Sequence, residues 1–156
     1  MQDHRGIEKL DWDELSPMEM ELLISAEEAL TKAYAPYSGF QVGAATRLID
    51  GQVFTSNNQE NVSFPVGVCA ERSLLAYVGA NFPETPPEAL AIAAKRKGEN
   101  ESAYVTPCGL CRQAILETEN RFKKAIKILI LMPERKVVRI SGVRELLPLS
   151  FNDLTD

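Results

Sequence analysis

Three cysteines constrain this chain more than any other feature. They stand as Cys69-Ala70-Glu71-Arg72 and, further on, Pro107-Cys108-Gly109-Leu110-Cys111-Arg112. An odd number cannot form a full set of disulfides within one chain. A Cys-x-x-Cys pair with one distant cysteine is instead a three-thiolate set suited to a borderline-soft dication such as Zn²⁺. Three protein ligands leave one coordination position open, as in a catalytic zinc site. The only histidine, His4, lies in a polar N-terminal stretch, which nearly excludes a His-based triad or a His-ligated metal. Any fold for this chain must therefore carry residue 69 to the side of residues 108 and 111.

Other readings of the same residues stand beside this one. A thioredoxin-like redox pair would account for Cys108 and Cys111 but leave Cys69 unexplained. A structural zinc normally takes four protein ligands, and neither a fourth cysteine nor a suitable histidine exists. Glu71, taken alone, reads as a surface acid favoured by a helix N-terminus. Between a metal ligand and Arg72 it becomes a candidate proton shuttle. Arg72 and Arg112 directly follow motif residues, where their guanidinium groups can donate to thiolate sulfur and tune the metal.

The remaining sequence supplies a scaffold. A length of 156 residues fits one domain, here residues 16–156 behind an N-terminal tail of residues 1–15. Ser16-Pro17-Met18-Glu19 is a capping box with proline in the first turn, opening a helix over 17–33. Residues 40–49 and 52–56 read as a hairpin across Asp50-Gly51. Cys69 falls near the start of a second helix that ends at Gly79, and Cys108 opens a third that runs toward Glu119. Thiols at two helix N-termini are stabilised as thiolates by the positive ends of the helix dipoles. Strands are expected over 89–95, 126–132 and 136–140. Alternating helices and strands make an α/β layered domain.

Composition excludes some partners. The net charge is −5, which argues against a nucleic-acid surface, and the basic runs at Lys95-Arg96-Lys97 and 121–124 read as solvated faces. No apolar stretch reaches the roughly 18–20 residues of a membrane span, and residues 1–10 lack an apolar signal core. A reduced, cytoplasmic setting is expected.

Cys69-Ala70-Glu71 and Pro107-Cys108-Gly109-Leu110-Cys111 match the zinc motifs of the nucleobase deaminases. Beyond those motifs the chain resembles the free-nucleoside cytidine deaminases. Ala33-Tyr34-Ala35-Pro36-Tyr37-Ser38, then Phe40 and Val42-Gly43-Ala44-Ala45, is similar to the segment entering their first strand. Asn58-Gln59-Glu60-Asn61 resembles their ribose-binding loop, and Leu146-Leu147-Pro148 their C-terminal signature. The family commonly carries Gly-Pro before a following Asp-Leu, whereas Asp153-Leu154 here is preceded by Phe151-Asn152.

The resemblance implies a three-layer α/β/α fold with a mixed five-stranded sheet. It implies one zinc per chain on Cys69, Cys108 and Cys111, with Glu71 moving protons between water, the pyrimidine N3 and departing ammonia. Phe40 would pack against the pyrimidine, the backbone near Ala70 would read the base edge, and Asn58 and Glu60 would bind ribose. The all-cysteine ligand set resembles the small homotetrameric branch, in which Tyr37 and Phe151 face a neighbouring subunit's site. The activity implied is hydrolysis of cytidine and 2′-deoxycytidine to the uridine counterpart in pyrimidine salvage. A deaminase of a cytosine-bearing antibiotic such as blasticidin S shares the zinc motifs, but the Asn58/Glu60 pair speaks against it. A non-catalytic zinc- or RNA-binding module is opposed by Glu71 and by the acidic charge balance.

Overall fold

A computed structural model describes residues 6–152 and 154; the tail position His4 lies outside them. The described chain forms six strands, β1 (Ile7–Leu10), β2 (Phe40–Leu48), β3 (Val53–Asn57), β4 (Pro87–Arg96), β5 (Lys127–Leu131) and β6 (Val137–Ile140). Three α-helices accompany them, α1 (Pro17–Leu30), α2 (Ala70–Asn81) and α3 (Gly109–Phe122). The strands make one mixed sheet in the order β1-β6-β5-β4-β2-β3. Only β4 and β5 pair in parallel, and α3 lies on the crossover that a parallel connection requires.

Side-chain alternation sorts the sheet into two faces. Val42, Ala44, Leu90, Ile92, Ala94, Ile128 and Ile130 pack with Ala70, Leu74, Leu75 and Val78 of α2 and with Ile115 and Leu116 of α3. Ala45, Ala89, Ala91, Ala93, Leu129 and Leu131 pack with Leu22, Leu23, Ala26 and Leu30 of α1. The second face is built largely of alanine, so α1 sits close to the sheet. At Gly43 the approach is closest, for a Cβ there would lie 2.0 Å from the Ala26 carbonyl oxygen. The three layers expected from sequence are present, and the sheet is mixed.

Three expectations are corrected. The sheet has six strands and not five, because Ile7–Leu10 of the supposed tail pairs antiparallel with β6. Four residues are too few to display a strand period, so the pairing is decided by the partner edge. Trp12–Glu14 continues as a turn of 3-10 helix, and Trp12 packs against the α1 core. The second correction is Gly79, which does not end α2: the helix runs on to Asn81. The Gly79 carbonyl instead accepts a hydrogen bond from Arg121 of α3. Helix α1 ends at Leu30, earlier than residue 33, because Tyr34 is drawn into extended pairing with residues 58–60.

Candidate metal centre and nucleoside site

Cys69 and Cys108 are the N-cap residues of α2 and α3, both in extended conformation, and neither thiol caps its own helix. Cys111 lies in the first turn of α3. The thiols converge on one another because the two helices share a face of the sheet. The Cys69 and Cys108 sulfurs are 3.8 Å apart and those of Cys108 and Cys111 are 3.4 Å apart. All three lie within 4.8 Å of one another. Tetrahedral zinc with Zn–S bonds of about 2.3 Å needs sulfurs about 3.8 Å apart. The donor set fits in type, number and spacing.

The electrostatics of the cluster favour a dication. Hydrogen bonding from the Cys111 thiol, opposed by burial and helped by Cys108 and the Arg72 charge, lowers the Cys69 pKa to about 6. Cys111 is pushed up by that same contact and by burial, with Glu71 and Cys69 adding repulsion. One negative sulfur thus suppresses ionisation of the next. A central charge of +2 removes that repulsion and lets three thiolates coexist.

Glu71, in the first turn of α2, is 3% exposed. Burial raises its carboxyl pKa above the ordinary value, its own N–H opposes this, and the Cys69 charge pushes it up further. Raised carboxyl pKa values are what a group that both takes and gives a proton near neutrality requires. Ala70 beside it is fully buried.

The loop after β3 is sewn to the residue preceding Cys69. Gln59 and Val68 exchange two backbone hydrogen bonds of 3.0 Å, and Tyr34 pairs with Asn58 and Glu60 on the other side. Main-chain pairing thus ties Gln59, which stands between Asn58 and Glu60, to Val68, the residue before Cys69. Asn58 Oδ1 accepts from the Val42 N–H at 2.8 Å and its Nδ2 donates to the Phe40 carbonyl at 2.9 Å. Glu60 Oε1 accepts from the N–H groups of Tyr37 and Ser38, and Oε2 from the Ser38 hydroxyl. The Ser38 hydroxyl is the main reason its carboxyl stays below the usual value, against a smaller opposing effect of burial. A cavity of 360 Å³ lies over this loop, lined by Tyr37, Ser38, Glu60, Asn61, Phe64 and Gly67.

The chain is similar in sequence and fold to known proteins. The family model of the cytidine and deoxycytidylate deaminase zinc-binding region matches residues 18–127. The chain belongs to this family. It is 41% identical over 93 residues to the cytidine deaminase of Mycobacterium tuberculosis, a match covering 60% of this chain and 65% of that one. Just under two thirds of that relative's length is thus spanned. A probable cytidine deaminase of Dictyostelium discoideum is 32% identical over 130 residues, covering 80% of this chain and 77% of that one. The crystal structure of cytidine deaminase from Burkholderia pseudomallei superposes with a TM-score of 0.69 at 33% identity, over 88% of this chain and 100% of that one. Zinc is the ion this family region binds, and the Cys69, Cys108 and Cys111 cluster is positioned to hold it.

Other motif residues fall in less expected places. Arg112 directs Nε to the Pro107 carbonyl at 2.9 Å and Nη1 to the Leu146 carbonyl at 3.0 Å, tying the cysteine loop to the C-terminal segment where a sulfur contact was expected. Arg72 acts on Cys69 through its charge. Phe40 lies on the α2/α3 face, with the Arg96 guanidinium 5.4 Å from its ring centre. Tyr37 packs edge-on to Phe64 and is half exposed. Phe151 is exposed and is held to α3 through its carbonyl by Gln113. Sequence reading missed Ser38 and Arg96. The cross-strand register that sets Arg96 opposite Phe40 has no local signature.

Proposed function

We propose that this protein is a zinc-dependent hydrolase that converts cytidine and 2′-deoxycytidine to the uridine counterpart and ammonia, in pyrimidine salvage. The observation that carries the reading is the buried Glu71 carboxyl beside three converging thiols. Zinc held by Cys69, Cys108 and Cys111 would supply Lewis acidity that makes water nucleophilic at neutral pH. Glu71 takes one proton from the water that adds at C4 and delivers it to N3. It then takes the proton remaining on the C4 hydroxyl and passes it to the amino group, so that the C4–N bond breaks with release of ammonia and C4 becomes a carbonyl. Its burial excludes bulk water from those transfers.

Phe40 packs on the pyrimidine face and the Ala70 backbone reads the base edge. Asn58 retains one Nδ2 hydrogen and Glu60 Oε2 retains acceptor capacity, so both can still bind a ribose hydroxyl. A carboxylate at the sugar favours a free nucleoside, since a 5′-phosphate would want a basic partner.

Assembly as a homotetramer is part of the proposal. Tyr37, Phe64, Tyr104 and Phe151 are all at least half exposed, and Leu110 beside Cys111 is 64% exposed. Neighbouring subunits would cover these exposed apolar side chains, with Tyr37 and Phe151 reaching a neighbour's site. No helix among the described residues is long and apolar enough to cross a membrane. A reducing cytoplasm would keep the three thiols available for the ion.

The test is metal analysis with a cytidine absorbance assay. Purified protein should hold about one zinc per chain. Glu71→Ala should keep that zinc and lose about 10²–10⁴-fold in turnover. A fully active Glu71→Ala protein would overturn the mechanism. Consumption of blasticidin S with cytidine left untouched would overturn the substrate.

A further inference from the structure

We infer that Ser38 is a positioning residue that fixes the Glu60 carboxylate for its ribose contact, through a hydrogen-bond relay anchored at the start of β2. The inference rests on the ribose reading of Glu60 given above.

The direction of each bond in the relay follows from its ends. The Ser38 Oγ lies 2.6 Å from Glu60 Oε2 and 3.0 Å from the Phe40 nitrogen. An ionised carboxylate can only accept and a backbone N–H can only donate. The hydroxyl must therefore donate to Glu60 while accepting from Phe40. Its one proton is committed to the carboxylate, and the Phe40 N–H holds the oxygen in line. Alanine at this position would remove both bonds, whereas threonine keeps the hydroxyl. Ser38 is exposed, so the extra methyl has room.

The relay bears on Glu60 more than on Phe40. Glu60 Oε1 is held by the N–H groups of Tyr37 and Ser38, at 3.0 and 3.1 Å. Oε2 has the Ser38 hydroxyl as its protein partner. With only Oε1 pinned, the carboxylate can rotate about that contact and carry Oε2 out of register with a ligand. Phe40 is secured a second time, because Asn58 clamps its carbonyl and the Val42 N–H from the neighbouring loop. Loss of the Ser38 hydroxyl thus loosens the sugar contact and leaves the base-stacking ring in place. Hydrogen bonds to charged groups are the stronger class, so the loss is expected in substrate binding and not in chemistry at C4.

The experiment compares wild type, Ser38→Ala, Ser38→Thr and Glu60→Gln with cytidine and with 2′,3′-dideoxycytidine, which lacks both secondary hydroxyls. Ser38→Ala should raise KM for cytidine about tenfold, with kcat within about threefold. Its kcat/KM for the dideoxynucleoside should stay within about twofold of wild type, and Ser38→Thr should restore the cytidine KM. Comparing two nucleosides on one preparation cancels any loss of folded protein. Equal losses on both nucleosides, or a fall confined to kcat, would overturn the assignment. So would an unchanged Ser38→Ala alongside a Glu60→Gln variant with raised KM. If Glu60→Gln itself binds cytidine normally, the ribose reading beneath the inference is what fails.

Discussion

Gly43→Ala offers a sharp test of how α1 and the sheet are held together. A Cβ at residue 43 would stand 2.0 Å from the Ala26 carbonyl oxygen, 2.5 Å from the Leu30 nitrogen and 3.1 Å from the Ala26 carbonyl carbon. All three are backbone atoms of α1, so no rotamer change can relieve the clash. Ordinary non-bonded contacts lie near 3.5 Å, which requires α1 to retreat by more than about 1 Å. A gap of ~0.5–1 Å forfeits roughly a quarter to a half of each dispersion contact. The retreat would act on Leu22, Leu23, Ala26 and Leu30, all buried against the alanine face of the sheet. Overpacking typically costs ~1–3 kcal/mol, and a backbone clash belongs at the upper end of that range. At ~3 kcal/mol, a domain of this size should lose about 6–12 °C in Tm. Calorimetry and urea unfolding at fixed zinc would measure it. The folded fraction should keep its zinc, because the three cysteines lie on the opposite face of the sheet. A Tm within about 2 °C of wild type would refute the close-approach argument.

Glu19 joins the capping box of α1 to Lys127 of β5 and Arg139 of β6, at 3.0 and 3.3 Å. Burial pushes its carboxyl up, but the Ser16 N–H, Lys127 and Arg139 together outweigh this and hold it below the ordinary glutamate value of 4.5. Its contribution is therefore full above about pH 4.5 and lost as pH falls through the lower folded value. Glu19→Gln should cost ~1–3 kcal/mol at neutral pH and flatten the fall in urea midpoint below pH 4.5; an unchanged acid limb would contradict it. In the turn between β5 and β6, Glu134 and Arg135 both have left-handed φ, +58° and +57°. Glu134→Asn should gain about 0.5 kcal/mol in urea unfolding, since asparagine tolerates that conformation. Arg135→Asn should lose stability instead, because Arg135 pairs with Glu27 and lies 3.8 Å over the Trp12 ring.

Local chemistry was legible wherever a few adjacent residues carry it. The capping box at Ser16 to Glu19 opens α1, and Asp50-Gly51 joins β2 to β3, with Gly51 at φ +91°. The continuous apolar run at β5 is buried on both faces, with residues 128–131 all about 1% exposed or less. Pairing between distant segments was not legible. The β1 strand is short and takes its role from the β6 edge, and Gly79 resembles a helix stop until Arg121 of α3 is seen at its carbonyl.

The same division runs through the site. Cysteine number and spacing, with Glu71 two residues from a ligand, determined an open three-thiolate centre, because metal preference depends on donor type and count. Tertiary structure alone decided how that centre is supported. Arg112 ties the cysteine loop to Leu146 where sulfur contact was expected, and Ser38 holds Glu60. Gly43 lets α1 close on the sheet. Each of these depends on distances between segments far apart in the chain, set by packing and β-register, which no local residue pattern encodes.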